Sequence, residues 1–186
     1  MIIFYVLMVF PITAVVSFLI YLPAYIYNKK KYGKRPVVRH LSIYCFIGVI
    51  LSILYVTVFM GGITFHPGYH FLNLVPFVWV KETYLMGFAK MIEQLFMNAV
   101  MLVPLGFILP VVFPSVRKWW KTALCVMVFI FGIETLQYFI GRSADVDDLI
   151  MNTFGGCIGY LLFFLLNKFL REQTWWKGAL RGTCTF

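Results

Sequence analysis

The sequence encodes an all-α integral membrane protein: a helical bundle with five transmembrane helices, its N-terminus outside and its C-terminus inside. Three observations lead there. The 186 residues are 62% hydrophobic and 12% charged, with a mean hydropathy of +0.88, whereas a soluble domain is about half apolar and about a quarter charged. The apolar residues fall into five runs, each near the ~20 residues that a helix needs to cross a hydrocarbon core. The 16 Lys and Arg gather in alternate gaps between those runs. The same composition excludes an ordinary soluble domain and a disordered chain, which requires low hydrophobicity.

The first run is Ile2 to Tyr27, with Pro11 and Pro23 as kinks. No cleavage signal closes it and six basic residues follow, which is the reverse of a secretory signal; it reads as a retained helix. The second run is Leu41 to Met60, and a long loop from Gly61 to about Met91 follows it. The third is about Ile92 to Phe113, the fourth Thr122 to Ile140, and the fifth Asp148 to about Asn167. No repeat and no linker divides the chain, so 1–186 reads as a single domain.

Charge sets the orientation. The gap Asn28 to His40, the gap Pro114 to Lys121 and the C-terminal tail hold thirteen of the 16 basic residues. Positive loops stay inside, so the N-terminus is expected out and the C-terminus in. Glu82, Glu93, Glu134, Asp145, Asp147 and Asp148 then lie on or toward the outer side, and only Glu172 is inside. Trp119, Trp120, Trp175 and Trp176 fall at inner gaps, where interfacial anchors belong. The net charge of +9 follows topology; no basic patch with interleaved stacking aromatics stands clear of the runs, so no nucleic-acid partner is expected. Cys45, Cys125, Cys157 and Cys184 share no metal-ligand spacing and read as free thiols.

Polar groups inside membrane helices usually face the bundle interior or a watery cavity. Glu134 lies about six residues from the outer end of its run, roughly 9 Å deep at ~1.5 Å per residue. Gln137 shares its face. Asn98 sits at a similar depth in the third run, and Asn152 lies one turn below Asp148 in the fifth. With Glu93, Arg142, Asp145, Asp147 and Asp148 at the rim, these residues predict one outward-facing polar cavity. The plainer reading is a set of interhelical hydrogen bonds and salt bridges, such as Arg142 with an aspartate. No cofactor is required by the sequence, yet Asp145 and Asp148 have the hard oxygens that suit a divalent cation; as helix caps they need none. Gly155 and Gly159 have the small-residue spacing of close helix packing. His66 and His70 in the long loop are surface histidines by default, Asn73 with Pro76 reads as a turn, and Pro104 as a kink.

Four blocks of residues resemble the VanZ-like family. In order they are Asn73-Leu-Val-Pro76-Phe77; Asn98 through Pro104 to Gly106; Glu134-Thr-Leu-Gln137; and Gly141-Arg142-Ser-Ala-Asp145-Val-Asp147-Asp148, continuing through Asn152 to Gly159. They cover about Asn73 to Leu165, roughly half the chain. The first two helices carry no matching block, and Cys157 stands where a plain small or apolar residue is expected. The resemblance implies a multi-pass bacterial cell-membrane protein. It also implies a phenotype, since the family's name-giving member is associated with resistance to teicoplanin.

Two functions are expected to compete. In the first, a cell-envelope factor binds a lipid, a lipid-linked cell-wall precursor or a lipoglycopeptide tail. Its ligand contacts are Asn73, Asn98, Gln137, Arg142, Asp145 and Asn152, with Arg142 on a phosphate. In the second, a membrane hydrolase or transferase acts on an envelope lipid or glycan. Glu134 and Asp148 are then its catalytic pair, with Glu134 as general acid or base and a divalent metal on Asp145 and Asp148.

Overall fold

The computed structural model describes residues 9–32, 36–60, 71–78 and 87–180. Five of its helices are long and apolar enough to cross a membrane. They are α1 (Phe10–Tyr32), α2 (Val37–Leu54), α3 (Phe88–Val112), α4 (Trp119–Phe139) and α5 (Val146–Leu170). Hydropathy finds all five, but α2 to α5 each begin earlier than their apolar runs, because helical backbone continues through flanking polar and aromatic residues. α1 continues past its run into the basic gap, and residues 2–8 of that run lie outside the described part.

Several short elements went unforeseen. α2 loosens into a π-turn over Tyr55–Phe59. A seven-residue helix, α6 (Thr174–Leu180), follows α5. Strands β1 (Leu72–Asn73) and β2 (Ala144–Asp145) pair in parallel, Leu72 with Ala144 and Asn73 with Asp145. A 3-10 turn over Pro114–Val116 and short loops connect the remaining described helices.

The core lies between α3, α4 and α5, where Leu102, Leu105, Val126, Ile130 and Phe163 are buried. α5 lies directly on the backbone of α3. A Cβ on Gly155 would run into the Ala99 carbonyl, and one on Gly159 into the Val103 carbonyl. Contacts advance along both helices together, Asn98 with Asp148 and then Val103 with Gly159, so α3 and α5 run parallel. Gly156 instead faces the Val126 side chain of α4, 2.7 Å from a Cβ at that position. This is the packing role the glycine spacing predicts. α1 packs chiefly on α2, with Tyr44 Oη donating to the Ala14 carbonyl at 2.9 Å. Many apolar side chains of α1, including Phe18 and Leu19, are exposed, as a lipid-facing helix requires.

One end of the bundle is held by two arginines. Arg39 is buried at the start of α2 and donates to the carbonyls of Val111, Val112 and Ala179 at 3.1, 2.7 and 3.0 Å. Arg117 donates to Pro110 and Leu180 carbonyls at 3.0 and 2.5 Å. These oxygens end α3 and α6, where helical carbonyls lack partners of their own and a cation meets the negative dipole end. Burial pushes the Arg117 guanidinium below its ordinary range. Trp176 of α6 is buried and donates Nε1–H to Asn167 Oδ1 of α5 at 2.9 Å. Trp119, Trp120 and Trp175 are exposed.

Candidate functional site

The opposite end of the bundle carries the polar residues. Its organiser is the turn from α4 into α5, where Gly141 has φ of 81° and lets the chain reverse without a Cβ clash. The acidic run that follows ties the start of α5 to the 71–78 segment through Asp145 and Asp147 and to α3 through Asp148.

Asp145 is the N-cap of α5. Its Oδ1 accepts the Asp147 N–H at 2.8 Å and its Oδ2 accepts from Asn73 Nδ2 at 3.0 Å. Asp147 is buried and clasps the 71–78 segment, accepting the N–H groups of Phe77 and Val78 at 2.6 and 2.9 Å. Asp148 accepts from Asn98 Nδ2 of α3 at 2.5 Å. Asp147 and Asp148 both lie in the first turn of α5, where the helix dipole favours negative charge. Glu134 of α4 is buried, and its Oε2 accepts the Asp145 N–H at 3.0 Å.

The 71–78 segment is shaped to meet this hub. Asn73 Oδ1 accepts the Val75 N–H at 3.1 Å, an Asx turn that fits the expected turn at Asn73 and Pro76. Phe77 has φ of 64°, a left-handed conformation unfavourable for a residue with a Cβ. The Ala144 N–H also donates to the Phe71 carbonyl, continuing the strand pairing.

Gln137 and Arg142 converge elsewhere. Both donate to the Thr57 carbonyl, at 3.0 and 2.5 Å. Thr57 is in the π-turn, where the ordinary helical register is broken and carbonyls are freed for other partners. The salt bridge expected between Arg142 and an aspartate is replaced by this bond; ion pairs among the described residues involve Glu172 instead. Asn152 is only 5% exposed, and its Oδ1 has no hydrogen-bond partner; the Thr153 hydroxyl beside it is also buried and unpartnered.

The candidate residues are thus brought together. Asn73, Asn98, Glu134, Asp145 and Asp148 form one set of contacts between the loop, α3, α4 and α5. Gln137 and Arg142 form a second on α2, joined to α4 where the Arg142 N–H meets the Gln137 carbonyl at 2.9 Å. Asn152 follows Asp148 by one turn on α5, with its Oδ1 unpartnered. Glu93 is exposed on α3, Pro104 lies within a continuous α3, and His66 and His70 lie outside the described residues. No three His, Cys, Asp or Glu among the described residues are grouped to hold a metal ion, so a divalent cation would rest on Asp145 and Asp148 alone.

Sequence reasoning placed Asp147 at the rim and missed its clasp, and it missed Thr57. The signal for Asp147 was the spacing of three carboxylates around one helix start, which sends neighbouring side chains in different directions. Thr57 acts through its backbone oxygen, and no side-chain pattern reveals that. An apolar groove of about 150 Å³ also lies between α1 and α2, lined by Ile12, Val16, Leu51, Leu54, Tyr55 and Phe59.

Comparison with known proteins agrees with the motif blocks. The VanZ/LLP1 family profile matches residues 2–167. The protein VanZ of Enterococcus faecium is 33% identical over 103 residues, which are 55% of this chain and 58% of that protein. The chain therefore spans a little over half the length of this curated relative. No solved structure matches.

Proposed function

The chain belongs to the VanZ/LLP1 family, and on that premise we propose that it is a cell-envelope factor whose polar cluster faces outward and binds a membrane amphiphile. The amphiphile is a lipid, a lipid-linked cell-wall precursor or the acyl tail of a lipoglycopeptide. The orientation rests on the positive-inside count, which puts the Arg39 end inside and the Asp145 end outside.

One observation carries the reading. Polar residues from the loop and from α2, α3, α4 and α5 meet at one end of the bundle, although each is costly to place within or beside lipid. Buried polar groups are normally hydrogen-bonded, and this cluster leaves buried Asn152 Oδ1 unpartnered and gives Arg142 a neutral carbonyl in place of an ion pair. Asn73, Asn98, Gln137, Arg142, Asp145 and Asn152 line the binding region, with Arg142 toward a phosphate.

The test is a paired susceptibility assay. The wild type and Glu134→Gln, at matched membrane levels in a sensitive Gram-positive host, are titrated with teicoplanin and with vancomycin. Selective protection against teicoplanin by the wild type, lost in the variant, supports the reading. Equal protection by both proteins removes the polar cluster from the function.

A second reading, a membrane hydrolase or transferase, has one observation in its favour. Glu134 uses only Oε2 in its hydrogen bond, leaving Oε1 for a reacting proton. Product formation from an envelope lipid by purified protein, abolished in Glu134→Gln, separates it from the first.

A further inference from the structure

Resting on the proposed binding reading, we infer that the ligand's polar end is a zwitterionic aminophosphate: the phosphoethanolamine headgroup of a membrane phospholipid, with its ammonium on the carboxylates and its phosphate on Arg142.

Once the protein's own bonds are made, few carboxylate and amide oxygens of the cluster remain open. Asp147 uses both carboxylate oxygens on backbone N–H groups, and Asp145 uses both on Asp147 and Asn73. Glu134 uses only Oε2, and Asp148 only Oδ1. Asn152 Oδ1 has no partner and is 5% exposed. Three acceptor oxygens are therefore open: Glu134 Oε1, Asp148 Oδ2 and Asn152 Oδ1.

Their placement is shared. Asp148, Asn152, Gly155 and Gly159 form one stripe of α5, and that stripe lies on α3. Asn152 follows Asp148 by about one turn along that stripe. Glu134 reaches the same helix start, since its Oε2 holds the N–H of Asp145, the N-cap of α5 and three residues before Asp148. A primary ammonium has three N–H donors and no acceptor, the complement of three open oxygens. It also offsets a cluster of four carboxylates that has one arginine nearby.

The same geometry supplies the second half of the headgroup. Arg142 lies in the α4–α5 turn, three residues before the Asp145 N–H that Glu134 holds; it makes no ion pair, and its bond to the Thr57 carbonyl uses one of five N–H donors. A guanidinium with free donors beside a carboxylate group suits a ligand that carries a phosphate next to its ammonium. A purely anionic headgroup meets the carboxylates unfavourably. A trimethylammonium headgroup lacks the N–H donors that Asn152 requires.

The experiment uses the full chain in detergent micelles, titrated with short-chain phospholipids and read by native mass spectrometry. The probes are phosphatidylethanolamine, its trimethylated counterpart phosphatidylcholine, phosphatidylglycerol and undecaprenyl pyrophosphate. Saturable binding of phosphatidylethanolamine alone is expected. Asn152→Ala and Asp148→Asn should each weaken it about tenfold, the effect of one lost charge-assisted hydrogen bond. The ligand series on the wild type decides the matter even where a variant folds poorly. Equal binding of phosphatidylcholine or phosphatidylglycerol overturns the inference. Binding of undecaprenyl pyrophosphate alone overturns it while the proposed function stands. Failure of every probe overturns both.

Discussion

Replacing Asp147 with Ala removes the clasp on the 71–78 segment, and its effect can be worked from the structure. The carboxylate accepts the N–H groups of Phe77 and Val78. A hydrogen bond to a charged group contributes about 1.5–3 kcal/mol. The segment is largely exposed, so the low end applies and the pair contributes about 3 kcal/mol. Against this, the left-handed backbone of Phe77 costs about 1–2 kcal/mol and relaxes when the segment is released. The net loss of about 1–2 kcal/mol corresponds to a roughly 5–30-fold shift toward the open segment. Hydrogen exchange by mass spectrometry on the solubilised protein reads this directly. A peptide covering 71–78 should exchange faster by that factor in Asp147→Ala, and adding Phe77→Gly should recover part of the protection. Unchanged exchange in Asp147→Ala would refute the reasoning, because the clasp would then hold nothing.

The glycine positions should rank by what they touch. Gly155→Ala and Gly159→Ala meet the backbone of α3 and should destabilise by about 1–3 kcal/mol; Gly156→Ala meets only the Val126 side chain and should cost less, with thermal unfolding in detergent reading the order. Arg39→Leu strands three terminal carbonyls and should destabilise by about 3 kcal/mol, with early proteolysis near α6 as the marker. Glu134→Gln retains an oxygen for the Asp145 N–H, so its melting temperature should stay near that of the wild type while protection against teicoplanin is lost. Val75→Cys is on the exposed loop and should react with an impermeant maleimide on intact cells; labelling only after permeabilisation would reverse the proposed orientation.

Much of this protein was legible before its structure, for a physical reason. Lipid demands long apolar helices, so hydropathy located all five, and Glu134, Gln137, Asn98 and Asn152 stood out because polar atoms are rare at those depths. Helical spacing placed Asp148 and Asn152 on one face, and the α3–α5 seam agrees. What escaped depends on the backbone. The π-turn gives the Thr57 carbonyl to Gln137 and Arg142, and the strand pairing of Leu72–Asn73 with Ala144–Asp145 joins segments far apart in the chain. Neither leaves a periodicity. The expected Arg142–aspartate bridge failed for a related reason, since a freed main-chain oxygen competes with carboxylates for the guanidinium and residue types do not show where that oxygen is.

The hub at the start of α5 can close only late in synthesis. Asn73 and Asn98 are made well before the ribosome reaches Asp145 and Asp148, their hydrogen-bond partners. Until then the third span carries the Asn98 amide without its acceptor, and the loop carries Asn73 without its own. Arrival of the fifth span satisfies them together and draws the 71–78 segment down onto the bundle. A chain interrupted before that point carries unmet polar groups, which is the kind of defect that membrane quality control removes, so the residues that form the site also mark the molecule as finished.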